Sequence, residues 1–374
     1  MNGYYVILIL LAMVIGGMKY LKKKKGFKVT GPLVLFRTKH GVRIIGKIAN
    51  ACPRFWKGFS TFGVVFCFAA MGYIFYALLK NTLKFFSTPD MAAGAIPVIP
   101  GVTIPFWAGV IGLITVLVFH EFSHGIVAIA EKIKVKNVGI ASLGFLPIGA
   151  FVEPNEKQLK KKKTHSQLRM YAAGSFMNFI IGGLTLVLLL FIILPGMATL
   201  SPAAHIVSVD VDSPAELAGL PAEAVLYSIG ETQVTGIDEF MSATDNTVPG
   251  QNIVLSTDQG DYPVQLGEKA GSSYIGIQAV FCTKNVIHPL CYNTKPWVPN
   301  NMFWFTVGAL NWIIILNFGI GLFNLLPLKP FDGGLMTEAV TKKIVPKASK
   351  FMVRGLSAIC ILMVVINLVG PYIF

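Results

Sequence analysis

The stretch "LVFHEFSHGIVAIA", residues 117–130, places two histidines and a glutamate inside an apolar run. A charged side chain at the centre of a membrane helix costs about 2.5–3.5 kcal/mol on insertion scales, so such residues usually serve a function. His120 and His124 are one helical turn apart on one face, where both imidazoles can bind a single Zn²⁺. Glu121 is offset from that face, and we predict that it acts as a general base on water activated by the ion.

The composition of the whole chain is that of a membrane protein. Of its 374 residues, 54% are hydrophobic and 13% are charged, whereas soluble domains contain roughly 25% charged residues. The net charge of +14 could suit a nucleic-acid binder, but the basic residues lie in short runs beside apolar segments. Such runs are typical of cytoplasmic loops that face anionic headgroups. We therefore expect the lipid bilayer, and no nucleic acid, as the partner of this charge.

Six apolar segments are long enough to cross a bilayer, which takes about 20 residues. The chain is thus predicted to be a polytopic α-helical membrane protein with six transmembrane helices. The first segment lacks the basic start and the cleavage site of a signal peptide, so we expect it to be an anchor. The six segments are Tyr4–Leu21, Phe59–Leu79, Ile104–Ala130, Met170–Leu194, Met302–Leu326 and Leu356–Ile373.

Charge also predicts which loops are cytoplasmic. The loops after the first, third and fifth segments are rich in Lys and Arg and are expected inside. Residues 203–300 instead hold eleven acidic and three basic side chains, a net charge of −8, and are expected outside. Their alternating strands and turns predict a small β-rich domain, with Ser213 as a helix N-cap. Cys282 and Cys291 in this segment are equally compatible with a disulfide and with two free thiols.

A catalytic zinc site has three protein ligands and one open position, so a third ligand is required. The other histidines lie in basic loops or in the β-rich segment, and Glu131 lies among lysines. The segment "FNLLPLKPFDGG", residues 323–334, offers Asp332 between helix-breaking prolines and two glycines that permit an irregular turn. A plain solvated turn is the alternative. Because His120 and His124 also lie near the cytoplasmic end of their span, we predict that Asp332 is the ligand.

These motifs together resemble the site-2 protease family of intramembrane zinc metalloproteases, from about residue 105 to the end of the chain. "HEFSH" lies inside a span, and in "NLLPLKPFDGG" Asn324 precedes Asp332 by eight residues. "GFLPIGAFVEP", residues 144–154, is similar to the glycine-rich segment that forms a re-entrant β-hairpin in that family. "AAGSFMNF", residues 172–179, resembles its small-residue and Asn motif, and "VDSPAELAGLPAEAVLYSIGETQV" resembles a PDZ domain.

The resemblance implies an active site with one Zn²⁺ per chain, held by His120, His124 and Asp332, with Glu121 as the catalytic base. Helix–helix hydrogen bonds are the alternative role for the asparagines that the resemblance singles out, and a plain interfacial loop is the alternative for the glycines. The candidates for binding the substrate or the developing oxyanion are Asn324, Asn178, Gly144 and Gly149.

The implied reaction is regulated intramembrane proteolysis. Its substrates would be transmembrane segments of membrane-anchored proteins that another protease has already cut. The PDZ-like domain would either bind the new C-terminus or exclude substrates with bulky outer domains. A membrane metal transporter or sensor and a catalytically silent scaffold are the rival classes. The position of Glu121 and the lack of a visible inverted repeat favour the protease.

The predicted organisation follows from these assignments. The active site is expected toward the cytoplasm and the PDZ-like domain outside, and the compact length favours a prokaryotic cell membrane. The predicted parts are residues 1–57 (first transmembrane helix and basic cytoplasmic loop), 58–100 (second transmembrane helix and outer loop), 101–200 and 301–374 (the two halves of the catalytic membrane core) and 201–300 (PDZ-like domain).

Overall fold

A computed structural model describes residues 27–30, 33–87, 97–143, 146–200, 203–245, 247–269, 271–282, 286 and 288–369. Five of its helices, each with at least 21 residues, are long and apolar enough to cross a membrane. They confirm five of the six predicted spans, and the sixth, Tyr4–Leu21, lies outside the described residues. The helices of eight or more residues are α1 (His40–Ala51), α2 (Pro53–Ser87), α3 (Phe106–Ala130), α4 (Thr164–Leu188), α5 (Ile237–Asp245), α6 (Asn300–Asn324), α7 (Asp332–Ile344) and α8 (Ser349–Val369).

The five long helices have the surface of membrane helices. Large apolar side chains such as Phe62, Leu184 and Leu362 point outward and are exposed in the isolated chain. A helix that is apolar on all sides fits a lipid environment rather than water. α4 continues through a π-helical turn, Leu189–Ile193, and a last helical turn, Leu194–Met197, which lengthens the apolar run to residue 197.

A polar cluster joins α2 to α8 within this apolar region. The Asn81 side chain donates to the Oδ1 atom of Asn367 at 2.5 Å, and the Asn367 side chain donates to Oγ1 of Thr82 at 2.8 Å. Hydrogen bonds between membrane helices contribute about 0.6 kcal/mol each on average. The cluster therefore links α8 to α2, the first described spanning helix, at modest energetic gain.

Four antiparallel strands form a sheet in the order β1 (Phe27–Thr30), β2 (Leu33–Thr38), β3 (Val135–Leu143) and β4 (Leu146–Pro154). β3 and β4 are the predicted hairpin, and β4 is an edge strand; insertion of this hairpin into the membrane stays a prediction. β1, β2 and α1 are not predicted by the sequence, whose basic residues before residue 57 indicate a cytoplasmic loop. Ile45 of α1 is fully buried and packs in one cluster with Ile126 of α3 and Val138 of β3.

The β-rich segment folds as its alternation predicts. Its main sheet has the strand order β10 (Gly260–Gln265), β9 (Asn252–Thr257), β7 (Val225–Ile229), β6 (Ala204–Val209) and β13 (Ile277–Phe281), and β8 (Thr232–Gln233) pairs with β7. Ile206, Leu226 and Leu255 form its core. These strands belong to a compact unit, Val187–Val307, while the remaining residues form a second unit. The strands are β5 (Ala198–Leu200), β6 (Ala204–Val209), β7 (Val225–Ile229), β8 (Thr232–Gln233), β9 (Asn252–Thr257), β10 (Gly260–Gln265), β11 (Gly267–Lys269), β12 (Ser272–Tyr274), β13 (Ile277–Phe281) and β14 (Tyr292–Thr294).

Two details of this unit settle expectations from the sequence. Ser213 is the N-cap of a short helix, and its hydroxyl accepts a hydrogen bond from the Glu216 amide at 3.2 Å. Cys282 and Cys291 form a disulfide, which decides between the two alternatives. The likeness of this unit to a PDZ domain stays a prediction.

Candidate metal centre

The structure brings His120, His124 and Asp332 together. The two histidines lie on one face of α3, with their Nε2 atoms 3.2 Å apart. Asp332 is the first residue of α7. Its Oδ2 atom lies 3.4 Å from Nε2 of His120, and its Oδ1 atom lies 3.4 Å from Nε2 of His124. His120 and Asp332 are each 8% exposed. Two imidazoles and a carboxylate from distant parts of the chain therefore share one buried space.

These three side chains fit a zinc ion. Ligand atoms that are each 2.0–2.1 Å from a tetrahedral Zn²⁺ are about 3.3 Å from one another. The two nitrogens are 3.2 Å apart, and each lies 3.4 Å from one of the two Asp332 oxygens, which is close to this spacing. They are the one group of three His, Cys, Asp or Glu residues with such proximity among the described residues. Two nitrogen ligands and one oxygen ligand also match the composition of catalytic zinc sites.

The outer ring nitrogen of each histidine has a partner on α4. Nδ1 of His124 lies 2.7 Å from the Met170 carbonyl, which can only accept, so this nitrogen carries the proton and Nε2 is left free for a metal. Nδ1 of His120 lies 3.1 Å from the side-chain nitrogen of Asn178, whose Oδ1 is buried without a partner among the described residues. Turning this amide by 180° lets Oδ1 accept from Nδ1–H of His120. Both histidines then present Nε2 to the same point.

Asp332 is held by a hydroxyl and by close backbone packing. The Ser175 hydroxyl donates to its Oδ2 atom at 2.8 Å, in a buried position. A Cβ atom at Gly333 would lie 2.0 Å from the Leu325 carbonyl oxygen, and one at Gly334 would lie 2.5 Å from the Leu328 carbonyl carbon. The two glycines therefore let the start of α7 pack directly on the preceding turn. This packing fixes the position of the Asp332 carboxylate relative to the two histidines.

Gly174 lets α4 approach the ligand atoms. A Cβ atom at this position would lie 2.3 Å from Nε2 of His124 and 2.7 Å from Nε2 of His120. Any larger residue would thus occupy the space that both metal-facing nitrogens need. Ser175 and Asn178 follow within the next turn, so this part of α4 supports all three ligands.

Glu121 lies beside the centre without joining it. Its Oε2 atom accepts a hydrogen bond from the backbone N–H of Val152 on β4 at 2.8 Å, and its other oxygen makes no hydrogen bond within the described residues. The β4 strand therefore fixes one carboxylate oxygen and leaves the other available. This is the arrangement expected of a base that exchanges protons with a bound reactant.

Glu131, which the sequence analysis set aside as a ligand, has a structural partner. It lies just after α3 and is 7% exposed, and Nη1 of Arg169 donates to it at 2.9 Å. Burial raises the pKa of Glu131, but the Arg169 guanidinium, the Ser166 hydroxyl and the Lys57 charge together lower it more, so the pKa lies below its usual value. Arg169 also donates through Nε to the Thr61 hydroxyl at 2.8 Å. This pair ties the end of α3 to α2 and α4.

The remaining predicted site residues are distributed differently. Asn178 touches His120, as described above. Asn324 is the last residue of α6, and its amide makes no hydrogen bond within the described part of the chain. A Cβ atom at Gly149 on β4 would meet nothing within 4 Å, so open space adjoins the strand there. Gly144 lies outside the described residues. Roles of Asn324, Asn178, Gly144 and Gly149 in substrate binding stay predictions.

Four groups that build the centre have no role predicted from the sequence. They are Gly174, Ser175, the Met170 carbonyl and the Val152 N–H. The run "AAGS", residues 172–175, contained a usable signal, because small residues in membrane helices allow close approach of another element. The two backbone groups leave no signal in residue type.

Comparison with known proteins agrees with this geometry. The chain is 27% identical to the protein named "Uncharacterized protein MJ0971" of Methanocaldococcus jannaschii. The aligned region of 321 residues covers 85% of this chain and 80% of that protein. The chain is 24% identical over 270 residues to the zinc metalloprotease RasP of Oceanobacillus iheyensis, which covers 58% of this chain. The chain spans only 62% of the length of RasP.

A model of peptidase family M50 matches residues 108–367, which is well over half of the chain. The matched range contains both histidines, Glu121 and the aspartate of the metal centre. The chain therefore belongs to peptidase family M50, the site-2 protease family of membrane metalloproteases.

Proposed function

We propose that this protein is an intramembrane zinc metalloprotease that cleaves transmembrane segments of membrane-anchored proteins. The observation that carries the proposal is the meeting of His120, His124 and Asp332 at zinc-ligand spacing, with Glu121 beside them and outside the ligand set. Both histidines and Glu121 belong to α3, which is apolar and long enough to span a membrane. Peptide hydrolysis inside the membrane accounts for the cost of placing these groups there.

The residues divide the chemistry among them. A Zn²⁺ ion held by the three ligands would supply a Lewis acid that polarises a peptide carbonyl and makes water acidic near neutral pH. The free oxygen of Glu121 accepts a proton from the attacking water and later gives it to the leaving amine. The Val152 N–H keeps the other oxygen in place through both transfers. Met170, Asn178 and Ser175 hold the ligands in their orientations.

The substrate must be unwound at the cut, because an intact helix hides its carbonyls in internal hydrogen bonds. The outer edge of β4 is a suitable acceptor for an extended segment, which would add as a fifth strand. Gly149 offers open space on that strand. Because β4 also binds Glu121 through Val152, a strand added at this edge would be placed close to the base.

We further propose that the β-rich unit lies outside the cytoplasm and that the metal centre opens toward the cytoplasm. The disulfide between Cys282 and Cys291 supports this placement, because such bonds persist in oxidising compartments. The unit would act in a sequential cut, either by binding the new C-terminus of a clipped substrate or by excluding substrates with large outer domains.

The test is Glu121→Gln in the full-length protein, with zinc content and cleavage of a single-span test protein measured in liposomes. We expect one zinc per chain to remain and cleavage to fall by about 10²–10⁴-fold, the usual contribution of a general base. Gln259→Glu, on the loop between β9 and β10, serves as a matched control. It makes the reverse exchange of an amide for a carboxylate, away from the metal centre. Wild-type cleavage by Glu121→Gln would exclude the proposed base, and loss of zinc would make Glu121 a ligand.

A further inference from the structure

A cationic cavity of about 540 Å³ lies between the start of α1 and the start of β3. Four of the side chains that line it are Lys39, Arg43, Lys134 and Lys136. The others are two valines and Asn137, so no carboxylate lines the cavity among the described residues. The cavity shares no residue with the metal centre, and its positive charge favours an anionic ligand.

Most of this charge is not neutralised by the protein. Among the cations of the cavity, Lys136 has an ion-pair partner, because Glu153 lies 3.9 Å from it and also 3.7 Å from Arg37. Lys39, Arg43 and Lys134 form no ion pair with any described residue. The backbone of Lys134 is nevertheless fixed, because its N–H donates to the Gln158 side chain at 2.8 Å and its carbonyl accepts from the Asn155 N–H at 2.8 Å. The cavity thus has a fixed rim and free cations.

The position of the cavity along the chain predicts that it lies at the level of lipid headgroups. The spanning helix α3 ends at Ala130, only four residues before Lys134. α1, which contributes Arg43, carries Ile44 and Ile48 one turn apart with 51% and 39% of their surfaces exposed. Exposed apolar residues on a helix that also carries basic residues are typical of helices that lie in the membrane interface. Arg43 and Lys134 are therefore within reach of phosphates at the membrane surface.

We propose that this cavity is a binding site for phosphate-bearing anions, and that anionic phospholipid headgroups are the source that its position favours. The ligand would bridge α1 to β3. Both elements pack near the metal centre, since Ile45 of α1 lies 3.0 Å from the position of a Cβ atom on Gly125, the residue after His124. Val138 of β3 packs against Gly41 of α1 in the same way. The inference rests on the proposed membrane placement and is independent of proteolysis.

The test compares two triple variants of the full-length protein in neutral detergent by native mass spectrometry. The cavity variant is Lys39→Gln, Arg43→Gln and Lys134→Gln. The matched control removes three other exposed and unpaired lysines, with Lys157→Gln, Lys161→Gln and Lys163→Gln. The probes are dioleoyl phosphatidylglycerol, dioleoyl phosphatidylcholine and inorganic pyrophosphate, and the zinc content of each variant reports folding independently of the cavity.

We expect tight binding of phosphatidylglycerol, weak binding of phosphatidylcholine, and a loss of about fivefold for each cation removed, on the order of 100-fold for the cavity variant. The control should retain most of the affinity, and Arg43→Gln alone should lose about fivefold, which keeps the test valid if the triple variant misfolds. Displacement of the lipid by pyrophosphate would assign a soluble phosphate ligand, and its failure to displace would assign the lipid. Equal losses in cavity and control variants, or no loss in either, would overturn the site.

Discussion

The two halves of the metal centre are built in opposite ways. The histidines come from α3, a regular helix of 25 residues, and an i, i+4 spacing alone puts both on one face. The aspartate comes from the first residue of α7, after a broken stretch of chain, and it depends on glycines that pack against carbonyl groups. One half is thus encoded in local periodicity, while the other exists only through tertiary contacts. Substitutions in the two halves should therefore fail for different reasons.

Removal of a ligand should have the largest effect in either half. We expect His124→Ala and Asp332→Ala each to reduce zinc affinity by more than the 10–100-fold that loss of a supporting partner costs, and to abolish cleavage. The measurement is zinc per chain by mass spectrometry after dialysis against a weak chelator. His165→Ala, an exposed histidine at the start of α4, is the matched control and should keep one zinc per chain. Retention of zinc by Asp332→Ala would move the third ligand elsewhere.

Gly174→Ala should have the next largest effect, and it tests the histidine half. Gly174 lies on α4, but a Cβ atom there would overlap the metal-facing nitrogens of both histidines. The added methyl group would have to displace Nε2 of His124 by about 1 Å to reach ordinary contact distance. A misplacement of about 1 Å costs on the order of 100-fold in rate. We expect this loss in cleavage, with reduced zinc occupancy, while the helical circular dichroism is unchanged.

Gly183→Ala provides the control for this substitution on the same helix. A Cβ atom at Gly183 meets nothing within 4 Å, so the variant should keep its zinc and its cleavage rate. If Gly174→Ala and Gly183→Ala have the same zinc content and cleavage rate, the close approach of α4 to the ligands is not required for function.

The same contrast explains which features the sequence could predict. The spans, the β-rich unit and the HExxH pair depend on composition and on residue spacing. The described structure contains five of the six predicted spans, the β-rich unit and the HExxH pair. β1, β2 and α1 escaped prediction because a segment with basic residues resembles a loop, although Ile45 and Ala49 of α1 are fully buried. Backbone groups such as the Val152 N–H and the Met170 carbonyl are common to all residue types. Their roles appear only when the chain is folded.

Gly333→Ala tests the aspartate half. Its Cβ atom would overlap the Leu325 carbonyl oxygen at 2.0 Å, and backbone cannot yield as a side chain can. We expect a loss of stability of about 1–3 kcal/mol, typical of overpacking, together with weaker zinc binding. Gly319→Ala on α6, where a Cβ atom meets nothing within 4 Å, should leave both unchanged. The readouts are thermal unfolding in detergent with and without chelator, and zinc per chain. A normal zinc content in Gly333→Ala would mean that the start of α7 can shift without moving Asp332.

Ser175→Ala should have the smallest effect, and it separates packing from polar support in the aspartate half. The Ser175 hydroxyl is the described hydrogen-bond donor to Asp332, and loss of such a partner typically weakens metal binding by 10–100-fold. The matched control is Ser60→Ala, since Ser60 is also buried in a helix but its hydroxyl bonds the Trp56 carbonyl of its own helix. Zinc titration against a chromogenic chelator measures both variants. Because α7 keeps its glycines, Ser175→Ala should keep wild-type thermal stability in the metal-free state and lose only zinc affinity. Equal zinc affinity in the two serine variants would mean that close packing of α7 alone orients the carboxylate.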